Sequence, residues 1–303
     1  MFSMNFFLRG VVLSAFAVVF SEAAEPRPRE ISDVMFLTPD RAEKLDLYLP
    51  APPAAGSLSP AVVWIHGGGW TGGTKTEPRG KTICRTLASA GYVAVSIDYK
   101  LGPGSWPLNL LDCKNAVRFL RARASEYRLD PDRIAVAGGS AGGHLALMVG
   151  LTAQKKLHEP EAPYPGVSST VRCVIDMYGP ANLRTRPTDK TPMRTLMTGP
   201  SRAAFGAASD DASVWRVASP VFQVTQDSPP VLILHGRADS TVDYQQSDEM
   251  AAALKAGGGA HEYLLLDGVG HSFDWETWNK KPLPRDVKSA ALTFLERHLA
   301  SRK

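Results

Sequence analysis

Short runs of apolar residues recur along the chain at strand length, and stretches with helical spacing separate them. The runs occupy residues 61–65, 93–97, 134–137, 174–177, 231–234 and 263–266. Near-continuous apolar strands are typical of a parallel sheet covered on both faces, because such strands expose neither face to water. Their alternation with helical stretches predicts an α/β fold with a doubly wound, mostly parallel sheet and helices on both faces.

Two of the helical stretches carry stripes of apolar positions spaced three and four residues apart. Between Asp112 and Tyr127 the stripe comprises Cys113, Ala116, Val117, Leu120, Ala124 and Tyr127. In the predicted closing helix it comprises Val287, Ala290, Ala291, Phe294 and Leu295. Residues 44–49 instead alternate between polar and apolar side chains, which predicts a half-exposed antiparallel strand at the edge of the sheet.

One long stretch interrupts the alternation of strands and helices. From about Leu183 to Ser219 the chain is rich in Pro, Thr, Arg and Asp and contains no apolar run of core quality. Long excursions inside a compact domain commonly serve as lids or binding loops. We therefore predict a small lid insertion at residues 183–219, with a solvated surface loop as the alternative.

The first two dozen residues differ from the rest of the chain. One cation, Arg9, precedes the apolar run at 11–20, and the small residues Ser21 and Ala23 follow it. This pattern is typical of a secretory signal peptide, because the run is too short to span a bilayer comfortably. We predict a signal peptide at residues 1–23 and one catalytic domain at 24–303. The expected product is secreted or periplasmic and has no stable membrane anchor; an uncleaved anchor is the alternative.

Composition and charge exclude some classes of partner. The 303 residues are 44% hydrophobic and 21% charged, as in a globular protein with a sizeable core. The net charge of +4 is scattered and Lys and Arg form no stripe, so nucleic acid is not an expected partner. The cysteines, Cys84, Cys113 and Cys173, are interpreted as buried thiols, with one disulfide left open. They lack metal-ligand spacing, and no metal site is predicted.

A serine between small residues stands where a predicted strand turns into a predicted helix. The apolar run at 134–137 continues through Gly-Gly-Ser-Ala-Gly-Gly at 138–143 into helix-forming residues at 144–148. A sharp strand-to-helix turn exposes a hydroxyl as a nucleophile, and its glycines allow strand and helix to pack closely. We therefore predict that Ser140 is a nucleophile, with an incidental serine in a glycine-rich turn as the alternative.

A second glycine-rich loop, His-Gly-Gly-Gly-Trp at 66–70, follows the first apolar run. Successive glycines let backbone N–H groups converge on a ligand, as acyl transfer requires at the oxygen that becomes negative. The N–H groups of Gly68, Gly69 and Ala141 are therefore the predicted oxyanion hole. His66 is expected to brace this loop and not to act as a base.

The same loop also matches a dinucleotide-binding pattern. Gly67, Gly69 and Gly72 satisfy G-x-G-x-x-G after a strand, and Asp98 ends the next strand. The spacing to Asp98 is longer than this fingerprint requires, and the match leaves the turn at Ser140 unexplained. We therefore favour acyl transfer over nicotinamide chemistry.

A serine hydroxyl is a weak nucleophile unless a base accepts its proton and an acid orients that base. Asp239 follows the run at 231–234, and His271 follows the run at 263–266. Both loops leave the carboxyl ends of predicted strands, so we expect them at the same edge of the sheet as Ser140. The predicted catalytic residues are Ser140, Asp239 and His271, in the order typical of this chemistry.

Each of these assignments has a competitor nearby in the sequence. Asp243 could replace Asp239, which is favoured because it lies closer to the strand end. His235 is a plausible substitute for the base. His144 lies in the helix after the nucleophile, and its side chain is expected to face away from the acyl site.

With these motifs in place, residues 30–300 resemble the α/β-hydrolase superfamily, in particular its hormone-sensitive-lipase-like and bacterial feruloyl or acetylxylan esterase branch. The resemblance rests on the motifs at 66–70, 98–99, 129–134, 138–144, 178–180, 235–239 and 270–273. It implies a carboxylic-ester hydrolase without a cofactor. The implied substrates are short-chain, aromatic or carbohydrate-linked esters, as small molecules or on a polysaccharide.

The loop at 100–107 departs from the pattern of many relatives, so the substrate preference does not transfer. Trp70, Trp106 and Trp275 lie in loops at the predicted active edge and are candidates for lining an aromatic or sugar-binding pocket, whereas Trp278 fits the core rim equally well. The alternative functions are an arylformamidase or other amidase, a serine peptidase, and a catalytically silent binding module.

Overall fold

The structure is a computed structural model that describes residues 1–2, 28–153, 155, 158–185, 199–206 and 212–301. The sheet strands are β1 Arg29–Val34, β2 Leu45–Leu49, β3 Ser59–Ile65, β4 Val93–Ile97, β5 Leu129–Gly139, β6 Val174–Met177, β7 Val231–Gly236 and β8 His261–Leu266. The helices are α1 Pro78–Ser89, α2 Leu108–Ala122, α3 Ala141–Thr152, α4 Gly199–Ala203, α5 Ala212–Val217, α6 Gln245–Ala256 and α7 Val287–Leu299. A small ribbon pairs β9 Thr277–Trp278 with β10 Lys281–Pro282.

Eight strands form one sheet in the order β1-β2-β4-β3-β5-β6-β7-β8. β2 runs antiparallel to both of its neighbours, and every pair from β4 to β8 is parallel. The prediction of a mostly parallel doubly wound sheet is therefore confirmed. Because the parallel strands share one direction, the loops after β3, β5, β7 and β8 leave from the same edge.

The strand predicted at residues 44–49 is antiparallel, but the prediction that it is half-exposed and lies at the edge is wrong, because β2 lies between β1 and β4 and all five of its residues are buried. Its polar residue Asp46 can be buried because Lys75 Nζ donates a hydrogen bond to it at 2.7 Å.

The six central strands of the sheet are largely buried on both faces, whereas the terminal strands β1 and β8 are partly exposed, although the apolar run of β8 predicted burial. Alternate residues of each strand point to opposite faces, so that Val63 and Val136 enter one core layer while Val62 and Ala135 enter the other. The first layer packs against α2, α3 and α6, and the second against α1 and α7. Cys84, Cys113 and Cys173 are buried free thiols, which confirms their interpretation.

Helix α2 begins earlier and ends earlier than its apolar stripe predicts. It starts directly after Pro107 and ends at Ala122, and Ala124 and Tyr127 pack against the core from the turn that follows. The stripe therefore identified the buried face correctly but not the end of the helix. Among the helices of the described residues, none combines the length and apolarity needed to cross a membrane.

The predicted lid insertion is described only in part, because residues 186–198 and 207–211 lie outside the described ranges. Its two ends meet at Ser219, whose Oγ accepts a hydrogen bond from the Leu183 N–H at 2.8 Å and donates one to the Trp215 carbonyl at 2.6 Å. The insertion therefore leaves and rejoins the domain at one place. The lid function stays a prediction, as does the signal peptide, most of which also lies outside the described residues.

A buried carboxyl group, that of Asp176, lies in β6 directly beside the strand that leads to Ser140. It pairs in register with Gly138. Its Oδ1 accepts a hydrogen bond from the Gly179 N–H at 3.0 Å, whereas Oδ2 has no partner among the described residues. Burial raises the pKa of Asp176 to about 8, although the bond from Gly179 acts in the opposite direction. The carboxyl group is therefore largely protonated in the folded protein at neutral pH.

We expect Asp176→Asn to remove a pH-dependent loss of stability. The folded pKa of about 8 lies above the ordinary value of 3.8, so the unfolded chain releases a proton that the folded protein retains. The free energy of unfolding of the wild type should fall, relative to that of the variant, as the pH rises between these two values. Urea unfolding of both proteins below, within and above this window tests the prediction, and parallel pH profiles would contradict it.

Candidate active site

Ser140 occupies a sharp turn between the end of β5 and the first residue of α3. Its backbone angles are φ 57° and ψ −123°, and its N–H donates to the Met177 carbonyl at 2.9 Å. The turn is possible only with glycine on either side. A Cβ atom on Gly142 would lie 2.1 Å from the Ile65 carbonyl oxygen, and one on Gly138 would lie 2.2 Å from the Gly142 carbonyl oxygen. The strand and helix thus approach as closely as the sequence predicted.

The three predicted catalytic residues form one continuous chain of hydrogen bonds. His271 Nε2 lies 2.9 Å from Ser140 Oγ, and His271 Nδ1 lies 2.6 Å from Asp239 Oδ2. An ionised carboxylate only accepts hydrogen bonds, so the proton resides on Nδ1 and Nε2 is free to accept the serine proton. These distances are within the reach required for proton transfer.

Asp239 is buried, and four donors surround its carboxylate. Oδ1 accepts the backbone N–H groups of Thr241 and Val242 at 2.8 and 2.9 Å. Oδ2 accepts from His271 at 2.6 Å and lies 3.3 Å from His235 Nε2. Burial alone would raise the pKa of Asp239, but the bonds from His235, His271 and Val242 outweigh it and hold the pKa well below its usual range. Asp239 is therefore ionised at neutral pH.

The competitors for the base and the acid do not take the places of His271 and Asp239, although His235 also contacts the Asp239 carboxylate. His271 pairs with Asp239 and not with Asp243. The ring of His235 is buried, with Nδ1 2.7 Å from Ser247 Oγ and Nε2 3.0 Å from the Val242 carbonyl. A carbonyl only accepts, so Nε2 carries the proton and Nδ1 accepts from the serine. Both nitrogens of His235 are thus occupied away from the nucleophile.

His144 is buried beneath the site and faces away from it, as its place in the sequence predicts. Its Nδ1 accepts a hydrogen bond from the Trp70 indole N–H at 3.2 Å, and its Nε2 lies 2.7 Å from the Ala218 carbonyl. Burial lowers the pKa of His144 to about 4, although the contact with Ala218 acts in the opposite direction. The neutral ring links the oxyanion loop to the end of the predicted lid insertion.

The predicted oxyanion loop lies against Ser140. A Cβ atom on Gly67 would lie 3.0 Å from the Gly139 carbonyl oxygen and 3.2 Å from Ser140 Cβ, which is closer than most side chains pack. Gly68 and Gly69 have φ angles of 113° and 60°, which turn the loop around the nucleophile. His66 braces the loop, since its Nδ1 lies 2.6 Å from the Gly67 carbonyl and its ring stacks on Tyr99.

An open cleft of about 570 Å³ gives access to Ser140 and His271. Its lining residues are Gly67, Gly68, Gly69, Glu77, Pro78, Arg79, Ser140, Thr241, His271 and Ser272. Glu77, Arg79 and Thr241 were not predicted from the sequence. The sequence indicates their place only indirectly: Glu77 and Arg79 stand at the start of the helix after the oxyanion loop, and Thr241 follows Asp239 by two residues.

The three tryptophans predicted to line a pocket lie elsewhere. Trp70 and Trp275 are only 5% and 3% exposed and belong to the two core layers, so their predicted contact with substrate does not fit the structure. Trp70 has a φ of 61°, which turns its side chain inward onto His144. Trp106 is half-buried and packs against Phe205 and His144 instead of lining the cleft.

Neither a metal site nor the dinucleotide alternative has support in the described residues. None of their His, Cys, Asp and Glu side chains form a group of three or more that could hold a metal ion. Asp98, which would bind a ribose in a dinucleotide fold, accepts the Lys75 backbone N–H at 2.8 Å. It therefore holds the chain that follows the oxyanion loop.

Comparison of the sequence with known proteins gives the same class of fold. The BD-FAE family model matches residues 45–254. Esterase LipC of Mycobacterium tuberculosis is 34% identical over 243 residues, which amount to 78% of this chain and 58% of that protein. The chain thus spans well under two thirds of the length of this relative.

Solved structures extend the likeness to nearly the whole chain. A truncated carbohydrate esterase from gut microbiota has a TM-score of 0.73 over 92% of this chain and 99% of its own, and its 23% identity shows a shared fold alone. A propionate-bound esterase of the planctomycete Thermogutta terrifontis has a TM-score of 0.71 at 26% identity, over 92% of this chain and 98% of its own. The predicted α/β-hydrolase fold is confirmed, and the chain belongs to the BD-FAE family.

Proposed function

We propose that this protein is a serine carboxylic-ester hydrolase that acts through an acyl-enzyme. The hydrogen-bonded chain from Ser140 through His271 to Asp239, open to a cleft beside the oxyanion loop, is the observation that carries the proposal. The esterases among its relatives support the same reaction class.

The reaction begins when His271 Nε2 accepts the proton of Ser140 and Oγ bonds to the carbonyl carbon of the ester. The carbonyl electron pair moves to its oxygen, where the N–H groups of Gly68, Gly69 and Ala141 stabilise the negative charge. The bond to the alcohol then breaks, and His271 donates its proton to the departing oxygen. Asp239 stays ionised and stabilises the protonated imidazole.

Water completes the cycle by the same route. His271 accepts a proton from water as the water oxygen bonds to the acyl carbon. The second tetrahedral intermediate collapses, the bond to Ser140 Oγ breaks, and His271 returns the proton to the serine. The acid product leaves, and the enzyme regains its starting protonation.

We further propose that the substrates are esters of short acids with polar, carbohydrate-type alcohols. The cleft beside Ser140 presents Glu77, Arg79 and Thr241, whose polar groups suit hydroxyl-rich alcohols. The likeness to a propionate-bound esterase supports the short acid. Aromatic acyl groups have less support, because Trp70 and Trp275 are buried in the core.

Export through cleavage after Ala23 remains part of the proposal. It rests on the apolar run at 11–20 and the small residues that follow it. An exported hydrolase would meet carbohydrate-linked esters outside the cytoplasm, so export agrees with the proposed substrate class.

Ser140→Ala should lower kcat/KM for p-nitrophenyl acetate by roughly 10⁴-fold or more, because the acyl-enzyme cannot form. His271→Ala should cost a similar factor, and the double variant should lose little beyond either single one, since the residues act as a unit. Initial-rate kinetics on the three variants test this. Ser89→Ala, an exposed serine at the end of α1, is the control. Retention of wild-type rates by Ser140→Ala would refute the mechanism.

Glu77→Gln should discriminate between leaving alcohols. Among the described residues the Glu77 carboxylate has no ion pair, and it borders the cleft, so a sugar hydroxyl can donate to it. We expect kcat/KM to fall about tenfold on acetylated xylo-oligosaccharides, as expected for loss of a charged hydrogen bond, and to change little on p-nitrophenyl acetate. Glu126→Gln, on the exposed surface after α2, is the control. Equal effects on both substrates would argue against a sugar-binding role.

Expression of the full chain in a bacterial host should yield an exported protein whose first residue is Ala24. Terminal sequencing and intact mass of the periplasmic or extracellular fraction test this cleavage. Recovery of the uncut chain with the membrane fraction would instead favour an anchor.

A further inference from the structure

The loop that carries His271 is held by its backbone carbonyls. Three consecutive carbonyls, those of His271, Ser272 and Phe273, each accept a hydrogen bond from a side chain of a different element. The Trp278 indole N–H donates to the first at 3.0 Å, Arg79 Nη2 to the second at 3.0 Å, and the Tyr178 hydroxyl to the third at 2.7 Å. These three donors fix the backbone from which the imidazole projects.

This restraint matters because the loop adopts a conformation that its residues disfavour. Ser272 has a φ of 69°, in the left-handed region that a non-glycine residue rarely adopts. Release of its carbonyl would let the peptide relax and tilt the adjacent His271. The His271 ring must keep two short contacts at once, 2.6 Å to Asp239 and 2.9 Å to Ser140. A small tilt breaks one of them.

Arg79 differs from the other two donors in its surroundings. Tyr178 is fully buried, and the Trp278 ring packs so closely on Gly270 that a Cβ atom there would lie 2.6 Å from it. Both donors are therefore parts of the core. Arg79 is half-exposed in the first turn of α1 and borders the catalytic cleft. It can be replaced without opening a cavity in the core.

Arg79 also joins the two halves of the site. It lies ten residues after Gly69, at the start of the helix that follows the oxyanion loop, and its bond spans 193 positions of sequence to Ser272. No other cation of the described residues is recorded as a donor to the His271–Phe273 backbone. This guanidinium therefore ties the start of α1, which follows the oxyanion loop, to the loop of the base.

We propose that Arg79 is a positioning residue for the general base: by holding the Ser272 carbonyl from the cleft side, it keeps His271 Nε2 directed at Ser140. The inference rests on the proposed ester hydrolysis, because that activity is its main readout. His271 acts in both acylation and deacylation, so a tilted imidazole slows whichever step limits turnover. Substrate binding, in contrast, does not require the bond to Ser272.

The test compares Arg79→Ala and Arg79→Lys with the control Arg85→Ala. The control removes the same residue type from the same helix. Arg85 pairs with Glu30 and does not contact the loop of His271. On p-nitrophenyl acetate, a small neutral ester, Arg79→Ala should lower kcat about tenfold with little change in KM. This loss is smaller than the loss of about a hundredfold that a misplacement of about 1 Å can cause, because the other two donors still hold the loop. Arg79→Lys should recover part of the loss, because an ammonium can still donate one bond. Arg85→Ala should match the wild type.

Two further measurements separate positioning from general structural damage. Added ethylguanidine should restore part of the Arg79→Ala rate and leave the Arg79→Lys rate unchanged. The downfield proton resonance of His271 Nδ1–H, assigned by its loss in His271→Ala, should broaden in Arg79→Ala and stay sharp in Arg85→Ala. Thermal unfolding of each variant verifies that it is folded.

The outcomes distinguish failure of this inference from failure of the proposed function. A wild type that does not hydrolyse esters, or a fully active Ser140→Ala, overturns the proposed function. An active wild type with unchanged kcat and an unchanged resonance in Arg79→Ala overturns the positioning role. A rise in KM without a fall in kcat also overturns it and leaves Arg79 with a role in substrate binding alone.

Discussion

The left-handed backbone of Ser140 is the constraint on which the rest of the site depends. A residue held in such a sparsely populated region costs roughly 1–3 kcal/mol, which the surrounding structure must offset. Here the offset comes from close packing: Gly142 meets the end of β3, Gly138 meets the start of α3, and the Ser140 N–H bonds to the end of β6. The proposed nucleophile therefore keeps its place only while three neighbouring strands keep theirs. The parallel core around it is what makes this strained turn stable.

Two buried carboxyl groups at the ends of neighbouring strands show that the number of nearby hydrogen-bond donors determines whether a buried carboxyl group is ionised. Asp176 in β6 accepts one backbone N–H, and burial keeps it largely protonated. Asp239, just after β7, accepts two backbone N–H groups and a histidine N–H and has a second histidine nearby, and these contacts keep it ionised. Burial acts on both groups in the same direction, so the number of donors makes the difference. A fixed anion is required next to His271, whereas a neutral group is sufficient beneath the nucleophile turn.

The parts of the fold that the sequence predicted are those in which burial constrains every position. The strands from β3 to β7 are apolar because both faces are covered, and the strand order brings Ser140, Asp239 and His271 to one edge. The apolar run of β8 has a different setting, because β8 ends the sheet and only Leu266 of its six residues is buried. Strand β1 is mostly exposed and has no comparable pattern. The direction of Trp70 depends on a positive φ in its own backbone, which residue type does not reveal. The bond from Arg79 to Ser272 joins positions that no local pattern connects.

Tryptophans at the active edge contribute to the site by fixing loops and not by contacting substrate. Trp70 ties the oxyanion loop to His144, and Trp278 ties the His271 carbonyl to the β9–β10 ribbon. The proposed contacts with substrate come from the polar lining of the cleft. Arg79 belongs to both sets, since it borders the substrate space and bonds to the loop of the base. A substrate group that draws the guanidinium toward itself must therefore act on the position of His271 as well. If Arg79 has the proposed positioning role, selection of the leaving alcohol and activation of Ser140 would be coupled through this one side chain.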